Sequence, residues 1–158
     1  MRTALIESRN LTEQPTAVRR GTMTPAEMPT WFPKAFGEVA EFLRLHAITP
    51  AGPPFARYHM LPGGYFEVES GYPVPEPVRS DGTTQPSTLP GGPAAVTVHV
   101  GPYDRLGSTY ETLTDWLMMR GATPSGAPWE IYHDPPHGDP TTWHTAVVQP
   151  YCPAVDLS

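Results

Sequence analysis

Residues Thr49–His59, "TPAGPPFARYH", and residues Thr123–His133, "TPSGAPWEIYH", share one frame: Thr-Pro-x-Gly-x-Pro-aromatic-x-x-Tyr-His. Six identities and a Phe/Trp exchange recur at a spacing of 74 residues. Each copy opens on a Pro/Gly turn and continues as a short strand. The surroundings repeat too. Ahead of the first frame, Met28, Phe32, Ala35, Phe36, Val39, Phe42 and Leu43 recur at three- and four-residue steps, the apolar face of an amphipathic helix. Ahead of the second, Leu106, Tyr110, Leu113 and Leu117 do the same, and Gly121 closes that helix. "PTAVRRGTM" and "PAAVTVHV" precede the two helices as strands, and "YFEVESGYPV" and "TTWHTAVVQPY" follow the two frames as strands. Both halves read strand, helix, strand, strand.

The expected fold is therefore α+β: two βαββ units related by a pseudo-twofold, each with a helix on an antiparallel sheet, and a ligand cleft between the halves. The chain is expected to be a single domain over residues 1–158. The first repeat spans about 12–76 and the second about 93–151. Between them "PVPEPVRSDGTTQPSTLPGG", residues 73–92, reads as a stretch without periodicity, with the exposed connector at about 77–92. Pro25 and Pro29 suit an irregular first turn, and Pro33 places the start of the regular first helix near itself. Asp104 is the candidate N-cap of the second helix. "PGG", residues 62–64, reads as a tight hairpin loop.

Composition narrows the function classes. A formal net charge of −6 argues against a nucleic-acid partner, which requires a basic face. No apolar run approaches the roughly 20 residues of a membrane span. Glu7, Arg9 and Asn10 interrupt the N-terminal apolar stretch, so it lacks a signal-peptide core. The only cysteine is Cys152, which excludes a disulfide framework and points to a reduced, cytoplasmic setting. His59, His133, His137 and His144 accompany no metal-binding spacing, and no nucleophile elbow or phosphate loop is present, so neither metal nor cofactor is expected.

Glu130 is where the two frames differ in chemistry, because Ala56 stands at its place in the first. Strand alternation puts Glu130 and Tyr132 on one face and Trp129 and Ile131 on the other. Read from the strand alone, Glu130 is either the acid of an aromatic-walled site or a solvated edge residue beside core tyrosines. An acid among aromatic rings favours flat cations by stacking and cation–π contact. Tyr103, in the turn before the second helix, is the better candidate for such a wall. Tyr110, on the helix stripe with Leu106 and Leu113, reads first as core, while Trp116 falls off that stripe.

Several stretches carry a family resemblance. "HVGPYDRL", "YETLTDWLMMRG", "PWEIYHDP" and "TAVVQPY" resemble the second half of GyrI-like small-molecule-binding domains, which also serve as effector-binding domains of multidrug-sensing regulators. "AFGEVAEFLRLH", "PPFARYHML" and "YFEVESGYPV" resemble the first half, so the likeness spans roughly residues 12–151. It implies a duplicated βαββ fold with Glu130 as the acid of the pocket and Tyr132 beside it. It further implies ligand-binding walls at Tyr58, Tyr65, Phe66, Tyr103, Tyr110 and Trp31. No helix-turn-helix precedes residue 12, so a standalone member is expected.

The favoured expectation is a binding module for bulky aromatic, often cationic small molecules, of use in detoxification. The resemblance leaves two alternatives. One is a hydrolase that opens electrophilic cyclopropane-bearing compounds, with Glu130 and Tyr132 as catalytic groups. The other is an interaction protein of the DNA gyrase inhibitor kind. The oligomeric state is not legible.

Overall fold

The structure, a computed structural model, describes residues 5–134 and 137–154. In chain order its elements are β1 (Glu7–Leu11), β2 (Gln14–Met23), α1 (Met28–Leu45), β3 (Phe55–Met60), β4 (Phe66–Pro73) and β5 (Gln85–Leu89). They continue with β6 (Gly92–Val100), α2 (Leu106–Met119), β7 (Thr123–Pro124), β8 (Trp129–Tyr132) and β9 (His144–Cys152). Glu13–Pro90 makes one compact unit, and the second joins the segment before it to the segment after it.

The first-copy unit is an antiparallel sheet in the order β5-β2-β4-β3. The second-copy unit has the antiparallel order β1-β6-β9-β8, with the short β7 also on β9. Each sheet carries one helix, and the two helices bury matching positions. In the first unit Val39 and Leu43 of α1 pack with Ala17, and in the second Leu113 and Leu117 of α2 pack with Ala95. The α+β class and its duplication follow directly from these matched layers.

The edge strands depart from the expected pattern. β5 lies inside the stretch expected to be an exposed connector, and Thr84 and Leu89 there are buried. β1 lies in a segment that showed no strand signal. Their pairing explains both. β1 precedes the first copy yet pairs with β6, while β5 precedes the second copy yet pairs with β2. The repeat is thus a ββαββ unit whose leading strand is given to the other copy's sheet. A weak trace stands in the sequence: Leu11, Pro15, Ala17 and Val18 match Leu89, Pro93, Ala95 and Val96 at a spacing of 78 residues. Short polar strands containing Pro86 carry little alternation, which suits a sheet edge.

The helix starts also differ from expectation. α1 begins at Met28 and holds Pro33 within it. Pro29 falls in the first turn, where backbone donors have no intrahelical partner; Pro33 costs only the bond to the Pro29 carbonyl. A single 3-10 turn, Tyr103–Arg105, leads into α2, so Asp104 lies inside that turn and is not the cap. Around Pro62–Gly64, the Leu61 N–H donates to the Tyr65 carbonyl and closes the hairpin as expected.

Both helices end on the same hydrogen-bond pattern. The Gly121 N–H donates to Met118 O and the Ala122 N–H to Leu117 O; in α1, Ala47 and Ile48 donate to Arg44 O and Leu43 O. This double closure needs a left-handed residue, which Gly121 supplies at φ 65° and Ala47 supplies at φ 53°. A side chain in that conformation is disfavoured by about 1 kcal/mol. Ala47→Gly is therefore expected to stabilise the protein by about 1 kcal/mol in urea unfolding, less the entropy that glycine adds to the unfolded chain.

Candidate functional site

In the second-copy unit, one face of the sheet looks toward α2. Directly paired residues of an antiparallel ladder share a face. Glu130 pairs with Val147 and that with Thr97; Tyr132 pairs with Thr145 and that with His99. These two rows lie under α2, since Val147 belongs to the α2 core and His99 Nδ1 meets Thr109 Oγ1 of α2 at 3.1 Å.

Glu130 is only 7% exposed. Burying a carboxylate is unfavourable unless its oxygens are met by donors. Here the Tyr110 hydroxyl donates to one oxygen at 2.6 Å and the Tyr132 hydroxyl to the other at 2.7 Å. Tyr132 reaches it along its own strand, two residues on, whereas Tyr110 reaches it from the helix. Tyr110 also packs against the α2 core, so it serves both roles that its helical position offered. The solvated-edge reading of Glu130 is thereby excluded.

An aromatic series leads outward from this pair. The Tyr103 ring meets Tyr132 edge-on at 5.5 Å and lies against Trp143 at 4.9 Å. Tyr103 sits on the 3-10 turn before α2, and it is 36% exposed. His99 holds that turn, its Nε2 donating to the Pro102 carbonyl at 3.0 Å. With Nε2 as the donor in the neutral ring, Nδ1 accepts from the Thr109 hydroxyl. Burial first, then the nearby Asp134 and Glu130 carboxylates, push the Tyr103 phenol above its usual range. Asp134 closes the outer end. It accepts from the His144 backbone N–H at 2.6 Å and meets His144 Nδ1 at 3.0 Å, contacts that hold its carboxyl below the ordinary range.

Of the residues singled out in the sequence, Glu130, Tyr132, Tyr110 and Tyr103 come together in this unit. Trp31, Tyr58 and Phe66 gather in the first-copy unit around Phe32, which meets Trp31 at 5.6 Å and Tyr58 at 6.2 Å; Tyr58 in turn meets Phe66 at 6.5 Å. Tyr65 is 47% exposed and stands apart from these rings. Trp116 is partly buried on the α2 core, with Arg120 over its face at 3.8 Å. Sequence reasoning missed Trp143, which lies just ahead of β9 at the end of a 3-10 turn, where no periodicity marks it.

Other surfaces are less organised. An open groove of about 630 Å³ flanks α1 in the first-copy unit, lined in part by Arg19, Lys34, Glu38 and Glu41, and it includes none of the Glu130 set. Several of its charges are paired: Arg19 with Glu38 at 3.0 Å, Lys34 with Glu38 at 3.9 Å, and Glu41 with Arg44 beside the groove. Among the described residues no group of three His, Cys, Asp or Glu side chains is placed to hold a metal, and no helix is long and apolar enough to cross a membrane.

The chain was then compared with known proteins. A family model described as the GyrI-like small molecule binding domain matches residues 6–151. No curated protein matches. Among solved structures, the C-terminal domain of EcmrR is 20% identical with a TM-score of 0.83, covering 96% of this chain and 99% of that one. In the EcmrR–DNA complex, the chain spans 58% of the EcmrR length. SAV2435 bound to tetraphenylphosphonium is 11% identical, with a TM-score of 0.70 and 94% of each chain covered. A hydrolase from Listeria innocua is 12% identical with a TM-score of 0.65, covering 93% of this chain and 91% of that one. These structures share the fold.

Two outcomes test the geometry. Tyr110→Phe leaves one oxygen of Glu130 short of its hydroxyl donor, and is expected to lower the unfolding free energy by about 2 kcal/mol, less when Glu130→Gln is also present. In alkaline difference titration against Tyr103→Phe, the Tyr103 phenol is expected to ionise above the ordinary tyrosine range. Glu130→Gln should bring it part of the way down, since burial, the larger cause, remains. The sign for stability follows: a phenol raised in the folded state favours folding below its unfolded pKa and loses that contribution as pH rises through the folded value.

Proposed function

We propose a function from one premise: the chain belongs to the GyrI-like small-molecule-binding domain family. Its role is to capture bulky aromatic compounds, cationic ones above all, at the carboxylate of Glu130. One observation carries this reading. Both oxygens of that buried carboxylate are fixed by phenolic hydroxyls, at 2.6 and 2.7 Å, beside the ring series Tyr132, Tyr103 and Trp143.

Phenols are hydrogen-bond donors of fixed direction when their rings are packed, so those two bonds orient the acid. An acceptor already held in place costs a ligand little reorganisation. The adjoining rings offer stacking to a flat ligand and cation–π attraction to a charged one, worth about 0.5–2 kcal/mol for each contact. The wall role falls to Tyr132, Tyr103 and Trp143. Trp31, Tyr58 and Phe66 form a second aromatic surface of the same kind in the other unit. SAV2435, on the same fold, is described with tetraphenylphosphonium, a bulky aromatic cation. The setting assigned is cytoplasmic, which a single unpaired Cys152 suits.

Hydrolysis would ask Glu130 to take a proton from water while both its oxygens already accept short O–H bonds. Binding uses the carboxylate as it stands, and is the better fit. Glu130→Gln is expected to weaken tetraphenylphosphonium binding tenfold or more in calorimetric titration, an estimate from the strength of contacts to a buried charge. Equal affinity in the two proteins would overturn the reading.

A further inference from the structure

β1 is the terminal strand of its sheet, paired with β6 along one side. Four of its five residues are exposed. A strand in that position presents backbone N–H and C=O groups along its outer edge, a template for one more strand. In the other unit the terminal strand β5 carries Pro86 in its middle, one of the devices that blunt such an edge. β1 carries no proline and is held in place at two points. The Ser8 and Tyr151 hydroxyls meet at 2.6 Å, and the Thr97 hydroxyl donates to the Leu5 carbonyl at 2.9 Å. An edge already fixed in this way costs a partner little ordering.

The residues of the edge say what fits it. Residues 5–11 read Leu-Ile-Glu-Ser-Arg-Asn-Leu, and they match themselves when a second copy runs antiparallel about Ser8. Glu7 then faces the partner's Arg9, Arg9 faces the partner's Glu7, and Leu5 faces the partner's Leu11. Such an axis pairs odd-numbered residues with odd and even with even, so the backbone groups that point away from β6 meet their counterparts. In the single chain Glu7 and Arg9 bond to one another at 2.7 Å, both side chains half exposed. Charges that guard an edge against a second copy repel it, as like charges do. Here opposite signs stand symmetrically about the central residue, and they attract one. The flank is apolar: Leu5 is 77% exposed, and Val98, on the face that Glu7 shares with Val96, is 47% exposed.

We propose that the outer edge of β1 is an interaction surface for a second copy of this chain, joined antiparallel about a twofold axis at Ser8. The backbone ladder supplies the contact and the charges fix its register. A slip of two residues sets Glu7 against the partner's Glu7, or Arg9 against the partner's Arg9. Each copy uses the same edge, so the assembly closes at two. The pairing involves neither Glu130 nor the rings beside it, and is independent of the small-molecule reading.

Sedimentation equilibrium of the full chain tests the assignment. Wild type is expected to show a monomer–dimer equilibrium. Glu7→Arg leaves arginine at both positions and Arg9→Glu leaves glutamate at both. Each is expected to raise the dimer dissociation constant about tenfold, the scale of two cross-strand charge pairs. Combining the two substitutions in one chain restores every opposite pair and is expected to recover the wild-type constant, which separates charge matching from damage to the fold. An equimolar mixture of the two single variants is expected to form mixed dimers. A wild type that stays monomeric at millimolar concentration, or that assembles beyond two copies, overturns the proposal. So do single variants that dimerise as wild type does, or a combined variant that stays as weak as the single ones.

Discussion

A buried carboxylate is among the more demanding groups a small domain can contain, and the two phenolic hydroxyls on Glu130 set terms for much of what surrounds it. Tyr132 is bound to the carboxylate by strand alternation alone, since residues two apart share a face. Tyr110 is not. Its hydroxyl reaches Glu130 only if α2 lies at one rotation and one height on the sheet, and Leu106, Leu113 and Leu117 hold it there. The apolar packing of α2 and the polar bond at Glu130 thus constrain the same degree of freedom. His99 adds a third restraint by holding the turn from which α2 starts, and with it the Tyr103 ring.

The two copies differ at the positions that surround the acid. At the repeat spacing of 74 residues, Phe36 corresponds to Tyr110, Ala56 to Glu130 and Tyr58 to Tyr132. The first copy keeps an aromatic ring and a methyl where the second has a phenol and a carboxylate. The two replacements are physically linked, because a glutamate in place of Ala56 has to find donors and a hydroxyl added to the Phe36 ring supplies one. Core positions meanwhile keep their character: Val39 and Leu113, Leu43 and Leu117, Ile48 and Ala122. The scaffold is conservative where it packs and asymmetric where it carries charge.

That division also decides what could be read from the sequence. Helices, frames and the central strands announce themselves through apolar periodicity, which packing dictates locally. The Gly121 closure was legible for the same local reason, whereas Ala47 hid the equivalent end of α1 behind a residue that rarely adopts that conformation. β1 and β5 left little trace, because each is matched to a strand of the other copy and periodicity in one segment cannot report such an exchange. Glu130 stood out against Ala56, but its bond to Tyr110 joins a helix to a strand, and the helix stripe alone assigned Tyr110 to the core. Trp143 was lost in a loop whose ring contacts depend on where Tyr103 falls.

Among the described residues two glutamates are buried, Glu69 and Glu130, and different groups hold them. Glu69, also 7% exposed, accepts from the Arg20 guanidinium at 3.2 Å and from the Ser87 hydroxyl at 2.8 Å. It sits midway in a cross-strand row between Arg20 and Arg57, a charge matched by fixed charges of the same sheet. Such a group is a structural element, and drawing a cation to it would require displacing an arginine already in position. Two of the bonds that orient Glu130 come from phenols, one on α2 and one on its own strand, so that carboxylate is fixed by the packing of a helix on the sheet as well as by the ladder.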